Sequence, residues 1–151
     1  LRMGKPGATD EELWAALRTA QADFVEDLEM PIAQGGTNVS GGQRQRLSIA
    51  RMLVARPLIY LFDDSFSALD VATDAKVRAA MRASFAEREQ PVTSIIVAQR
   101  VASIRDADQI LVLDAGRIVD RGTHEELLGR CAVYQEIVDS QETATAAGGA
   151  N

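Results

Sequence analysis

The chain has 151 residues with 46% hydrophobic and 25% charged content, the composition of an ordinary globular protein with enough apolar material for one core. Its net charge of -6 and sequence pI of about 4.8 argue against a nucleic-acid partner, because phosphate-backbone binding draws on clustered Lys and Arg. The single cysteine, Cys131, excludes an internal disulfide and fits a reducing compartment, and no apolar run nears the ~20 residues that cross a bilayer.

The opening LRMGKPGATDEELW lacks the apolar stretch of a signal peptide and an initiator Met, and reads as the continuation of a longer chain. Thr9 with Glu12 forms a capping box that starts a helix at Asp10, with Leu13, Leu17 and Ala20 on one face. Trp14 is expected to pack inside the same helical region. A short helical piece is expected over 22–28, stopped by Met30-Pro31, and the Gly and Asn of AQGGTN (33–38) predict a loop. Ser40 with Gln43 makes a second capping box, opening a helix to about Ala55 that Arg56-Pro57 ends. Arg44, Arg46 and Arg51 on that helix read as a solvated face. Leu58 to Phe62 is short and apolar, and predicts a buried strand.

Asp70 caps the next predicted helix, Val71 to about Glu87, with Val77, Met81 and Phe85 as its apolar stripe and Asp74–Arg78 as an exposed i, i+4 pair. VTSIIVA, after Gln90-Pro91, predicts a second buried strand, and strand–helix–strand order predicts a right-handed parallel unit. QILVLDAGRIVDRG reads as a hairpin turning at Asp114-Ala115-Gly116. Thr123 with Glu126 caps a helix to about Leu128, and a last helix covers about Ala132 to Gln141. His124 and Cys131 are given structural roles, and the tail 142–151 is expected to be disordered.

Two stretches carry chemistry. In NVSGGQRQRLSIAR, Ser40, Gly41 and Gly42 stand at a helix N-terminus, where orphan N–H groups and the helix dipole favour an anion. A capping box alone is the plain alternative, but two glycines weaken a helix start unless close backbone approach gains something. In YLFDDSFSALD, an apolar strand ends in two acids, the edge at which α/β sheets place ligand chemistry. Asp63 is suited to hold Mg2+ through water and Asp64 to polarise an attacking water, a solvated acidic turn being the alternative.

Taken together these pieces resemble the nucleotide-binding domain of ABC transporters, of the exporter type. VSGGQ (39–43) is similar to the family's signature motif, LIYLFDD (58–64) to Walker B, and SALD (Ser67, Ala68, Leu69, Asp70) to the D-loop. IIVAQR (95–100) stands where the family has its switch-histidine strand, and DQILVLDAGRIVDRGTHEELL (108–128) resembles its closing hairpin and helix. The resemblance implies an α/β, P-loop NTPase-like ABC ATPase domain. It implies the C-terminal half of that domain: a helical signature subdomain over 1–56, then Walker B to the C-terminal helices over 57–141, with parallel strands and a closing hairpin. No G-x-x-x-x-G-K-[ST] occurs, and GKPGAT (4–9) is not one.

The resemblance further implies ATP and Mg2+ as ligands, with Ser40, Gly41, Gly42 and Gln43 on the nucleotide, Asp63 on the metal, and Asp64 and Gln99 at the catalytic positions. The family usually has Glu at position 64 and His at position 99; Asp is one methylene shorter, and Gln neither titrates nor acts as a base. The signature is intact, so the resemblance is to the weakened half of a heterodimeric exporter. Its implied partners are a second ABC ATPase domain and the transmembrane domains, which the loop 32–38 would approach, at the cytoplasmic face of the plasma membrane. A non-enzymatic dimerisation or regulatory remnant is the competing function. A chromosome-maintenance ATPase head is disfavoured by the acidic charge, the context of Gln99 and the absence of coiled-coil heptads. The isolated chain is expected to be inactive and, with a sheet edge uncovered, prone to aggregate.

Overall fold

The computed structural model describes residues 1–148, with side chains to residue 143. The chain divides into two compact units, Leu1–Val97 and the residues from Ala98 onward. The first holds α1 (Asp10–Thr19), α2 (Gly41–Ala55), β1 (Ile59–Asp63), α3 (Val71–Ala86) and β2 (Thr93–Val97). The division falls after β2. The reason is one continuous apolar cluster, in which Leu13, Leu17 and Ile49 of the helices join Tyr60, Phe62, Phe66 and Val77.

Local signals set most of the helices. Thr9 Oγ1 accepts from the Glu12 N–H at 3.3 Å and the Glu12 carboxylate accepts from the Thr9 N–H at 3.0 Å, closing the predicted capping box of α1. Trp14 is half-buried against the first unit's core. No helix forms over 22–28. Gln21 takes a φ of 55°, which ends α1, and successive turns follow that bury Ala22 and Val25. The loop 33–38 contains a single 3-10 turn, Gln34–Gly36.

β1 and β2 pair parallel, Leu61 opposite Ile95 and Asp63 opposite Val97. Neither is the fully buried strand that the sequence predicts. Tyr60 and Phe62 enter the core, Tyr60 stacking on Phe85 with ring centroids 4.7 Å apart. Ile59 (65% exposed), Leu61 (64%), Ile95 (52%) and Val97 (55%) leave the other face open, because only one layer of helices packs on the sheet within this unit.

The second unit is built on β3 (Ile110–Asp114), β4 (Arg117–Gly122), α4 (His124–Arg130) and α5 (Ala132–Gly148). The hairpin turns where predicted: Ala115 (φ 45°) and Gly116 (φ 75°) both take the left-handed conformation that a two-residue turn requires. The register slips between Val112 and Leu113, leaving Val119 as an extra residue on β4. α5 runs seven residues beyond the predicted Gln141, through alanines and threonines that continue a helix once it is nucleated, with Thr143 Oγ1 donating to the Asp139 carbonyl at 2.8 Å. Of the tail expected to be disordered, 149–151 lie outside the described residues. His124 and Cys131 are both buried, and His124 Nδ1 lies 2.8 Å from the Tyr134 hydroxyl.

Arg130 clamps the hairpin to α4, donating to Asp120 at 3.2 Å and to the Arg121 carbonyl at 2.7 Å. The Arg130 side chain, then the Arg121 N–H, hold the Asp120 carboxyl below its ordinary value. A carboxyl whose folded value is depressed contributes stability above its unfolded pKa and loses it as pH falls through the folded one. Asp120→Asn is therefore expected to flatten the acid limb of the stability curve, read by thermal melts at descending pH. Superimposable acid limbs in the two proteins would refute it.

Candidate functional site

The carboxyl end of β1 delivers Asp63 and Asp64 to one rim of the first unit, both exposed. Asp64 leaves the strand with a φ of 49°, a left-handed conformation that Asp tolerates better than most residues. Its carbonyl receives three donors: the Ser67 N–H at 3.4 Å, Ser67 Oγ at 3.0 Å and Gln45 Nε2 at 3.2 Å. Below, Phe66 and Leu69 are buried and anchor the turn, with the Phe66 ring 5.2 Å from that of Phe62. The Arg78 guanidinium lies 4.0 Å over the Phe66 ring and is paired with Asp74. That pair is buried, not exposed as the sequence suggests, because α3 turns it under the Phe66 turn. Asp70 closes the segment by capping α3. It accepts from the Thr73 hydroxyl at 2.7 Å and N–H at 2.9 Å, and these bonds hold its carboxyl below the ordinary value.

Beside this rim stands the amino end of α2. Ser40 Oγ accepts from the Gln43 N–H at 3.2 Å, and Gln43 Oε1 accepts from the Ser40 N–H at 2.8 Å. The two glycines have different surroundings. A Cβ on Gly42 would stand 3.0 Å from the Ala68 carbonyl oxygen, so part of what gains from a missing side chain is the chain's own turn. A Cβ on Gly41 would make only an ordinary contact with the Ala68 Cβ, at 3.6 Å. Of the arginines expected to form a solvated face, Arg44 and Arg51 are exposed and Arg46 is not. Arg46 is half-buried, donates to the Gln21 carbonyl at 2.6 Å and lies 4.9 Å over the Phe24 ring. Arg44 reaches the Gly35 carbonyl at 3.4 Å, tying the 33–38 loop to the helix, and Arg51 is exposed.

Ser40 to Gln43, Asp63 and Asp64, and Ser67 to Asp70 thus belong to one unit, and Gln45 joins them. Its Nε2 also donates to Ser67 Oγ at 3.1 Å, and its Oε1 accepts from the Ala68 N–H at 2.9 Å. Gln99 belongs to the second unit, where it is exposed and its carbonyl accepts from Gln141 Nε2 at 2.7 Å, while Gln141 Oε1 accepts from the Val101 N–H at 2.8 Å. Gln45 and Gln141 went unnoticed in the sequence, and nothing in its periodicity distinguishes them from surface glutamines. Among the described residues no group of three or more His, Cys, Asp or Glu is placed to hold a metal. Asp63 fits a narrower task, as one exposed carboxylate beside a cation that takes its remaining ligands from phosphates and water.

Residues 5–67 match the family model described as ABC transporter. An uncharacterized ABC transporter ATP-binding protein of Mycobacterium tuberculosis is 51% identical over 144 residues, which is 93% of this chain and 24% of that protein. A beta-(1-->2)glucan export ATP-binding/permease protein of Rhodopseudomonas palustris is 42% identical over 146 residues, again 93% of this chain and 24% of that protein. A solved bacterial Atm1-family ABC exporter with ATP bound matches with a TM-score of 0.82 and 39% identity, over 93% of this chain and 25% of that one. The chain spans about a quarter of the length of the curated relatives it matches.

Proposed function

The chain belongs to the ABC transporter family, in the ATP-binding part of exporter-type proteins, and on that premise we propose that it serves ATP hydrolysis coupled to export as one side of a two-domain ATPase. The observation that carries the reading is the docking of the α2 amino end and the β1 carboxyl end onto one turn, through Gln45 and the Gly42–Ala68 approach. This ties an anion-favouring helix tip, suited to one nucleotide, to a pair of carboxylates at a sheet edge, suited to another, as a domain that serves two shared ATP sites requires.

In this reading Ser40, Gly41, Gly42 and Gln43 meet the terminal phosphate of a nucleotide held mainly by a partner ATPase domain. Asp63 and Asp64 serve the nucleotide held mainly by the protein to which this chain contributes. A bound Mg2+ supplies neutralisation of the charge that grows on the phosphate oxygens, and Asp63 would be its protein ligand. Asp64 accepts hydrogen bonds from the attacking water and orients it; Gln99 offers an amide at the switch position but takes no proton. Asp64, one methylene short, and Gln99, without a titrating group, each slow turnover, and the partner is a different chain carrying Glu and His at these positions. Transmembrane domains complete the assembly, at the cytoplasmic face of the plasma membrane.

The test is the assembled transporter trapped with a non-hydrolysable ATP analogue. The γ-phosphate on the partner's nucleotide should lie within hydrogen-bond distance of the Gly41 and Gly42 amides; a γ-phosphate remote from them refutes the reading. This chain alone, whose residues include no phosphate-loop pattern, should show no ATP binding at micromolar nucleotide by titration calorimetry. A clear binding isotherm there would contradict the division of labour.

A further inference from the structure

We infer that Gln45 is a positioning residue that locks the backbone carrying Asp64 to the signature tip, so that the two move as one body. The inference rests on the proposed function, because it matters for hydrolysis only if Asp64 and Ser40 to Gly42 face nucleotide.

Its support is the use made of one side-chain amide. Nε2 donates to the Asp64 carbonyl at 3.2 Å and to Ser67 Oγ at 3.1 Å, while Oε1 accepts from the Ala68 N–H at 2.9 Å. Only an amide both donates twice and accepts at this reach: Glu keeps the acceptor and loses the donors, and Lys does the reverse. The bonds span sequence separations of 19, 22 and 23 residues, so they join α2 to the turn after β1 rather than trimming either locally.

The turn has reason to need such a brace. Asp64 holds a φ of 49°, and a non-glycine residue stays in that region only where its surroundings over-determine it. The direction of the Asp64 side chain follows from that backbone angle, and Gln45 supplies one of the donors on its carbonyl. Gly42 reinforces the junction by admitting the Ala68 carbonyl where a Cβ would stand 3.0 Å away. A pull on the Gly41–Gly42 tip by a nucleotide is thereby transmitted to the carboxylate that serves the other nucleotide.

Gln45→Ala and Gln45→Glu in the full-length assembled transporter test this by two readouts. Without nucleotide, hydrogen exchange at the Ala68 amide should quicken in Gln45→Ala and stay protected in Gln45→Glu, with the Leu53 and Val77 amides unchanged in both. With MgATP and the partner's own site inactivated, both variants should lose about 10- to 100-fold in kcat with KM nearly constant, the signature of misplaced groups rather than of weakened binding. An unchanged kcat in Gln45→Ala overturns the inference. So does loss of protection at Leu53 and Val77 together with Ala68, which would make Gln45 an ordinary fold contact. An unsubstituted assembly that does not hydrolyse ATP instead refutes the proposed function, and this inference falls with it, whatever the exchange at Ala68.

Discussion

In the assembled transporter, Asp64→Glu combined with Gln99→His should raise hydrolysis at the site they serve by on the order of 10²–10⁴-fold. Aspartate is one methylene shorter than glutamate, and a displacement of about 1 Å in a positioning group costs on the order of 100-fold. Glutamine hydrogen-bonds but does not titrate, so under the proposed function position 99 has no base to contribute until His is introduced. Each substitution is also made singly, since coupled residues depart from additivity and independent ones do not. Asp64→Glu alone should recover less than its reach suggests. The backbone there has a φ of 49°, which Asp accommodates more readily than Glu. The measurement is single-turnover hydrolysis with the partner's own site inactivated. A rate unmoved by the double substitution would mean that these two side chains are not what limits the site.

The sequence revealed most where a signal lies within a few residues of its effect. Three capping boxes, Thr9–Glu12, Ser40–Gln43 and Thr123–Glu126, place three helix starts, and Ala115-Gly116 places the hairpin. Each is a contact between residues three or fewer apart, and the side chains needed are written side by side. The 22–28 segment failed because buried Ala22 and Val25 imitate a helical stripe, while the left-handed Gln21 redirects the chain before a helix forms. The burial of β1 and β2 was overstated because apolar content does not say how many layers cover a sheet: Leu61 and Ile95 are as apolar as core residues and stand open. The candidate groups at Ser40 to Gln43 and at Asp63 and Asp64 were legible from motif and resemblance. What joins them was not, since the bonds of Gln45 depend on how two distant segments meet.

The same distinction gives Asp74→Ala the largest stability loss expected of any single polar substitution in the first unit, about 3–5 kcal/mol. Read from sequence, Asp74 and Arg78 are an exposed helical pair worth about 0.2–0.5 kcal/mol. In the structure both side chains are only 9% exposed, so removing the carboxylate takes the counter-charge from a guanidinium that water scarcely reaches. Arg78 also lies 4.0 Å over the Phe66 ring, so the loss spreads into the turn that carries Asp64 and Ser67. Trp14, the chain's one tryptophan, packs on the same core, and its fluorescence in a denaturant series reports unfolding of the first unit. Replacing both partners, Asp74→Leu with Arg78→Met, should cost less than Asp74→Ala alone, because an apolar pair of similar volume has no buried charge left to solvate. A loss below about 1 kcal/mol for Asp74→Ala would place the pair with solvent-screened surface bridges and remove the electrostatic support assigned to the Phe66 turn.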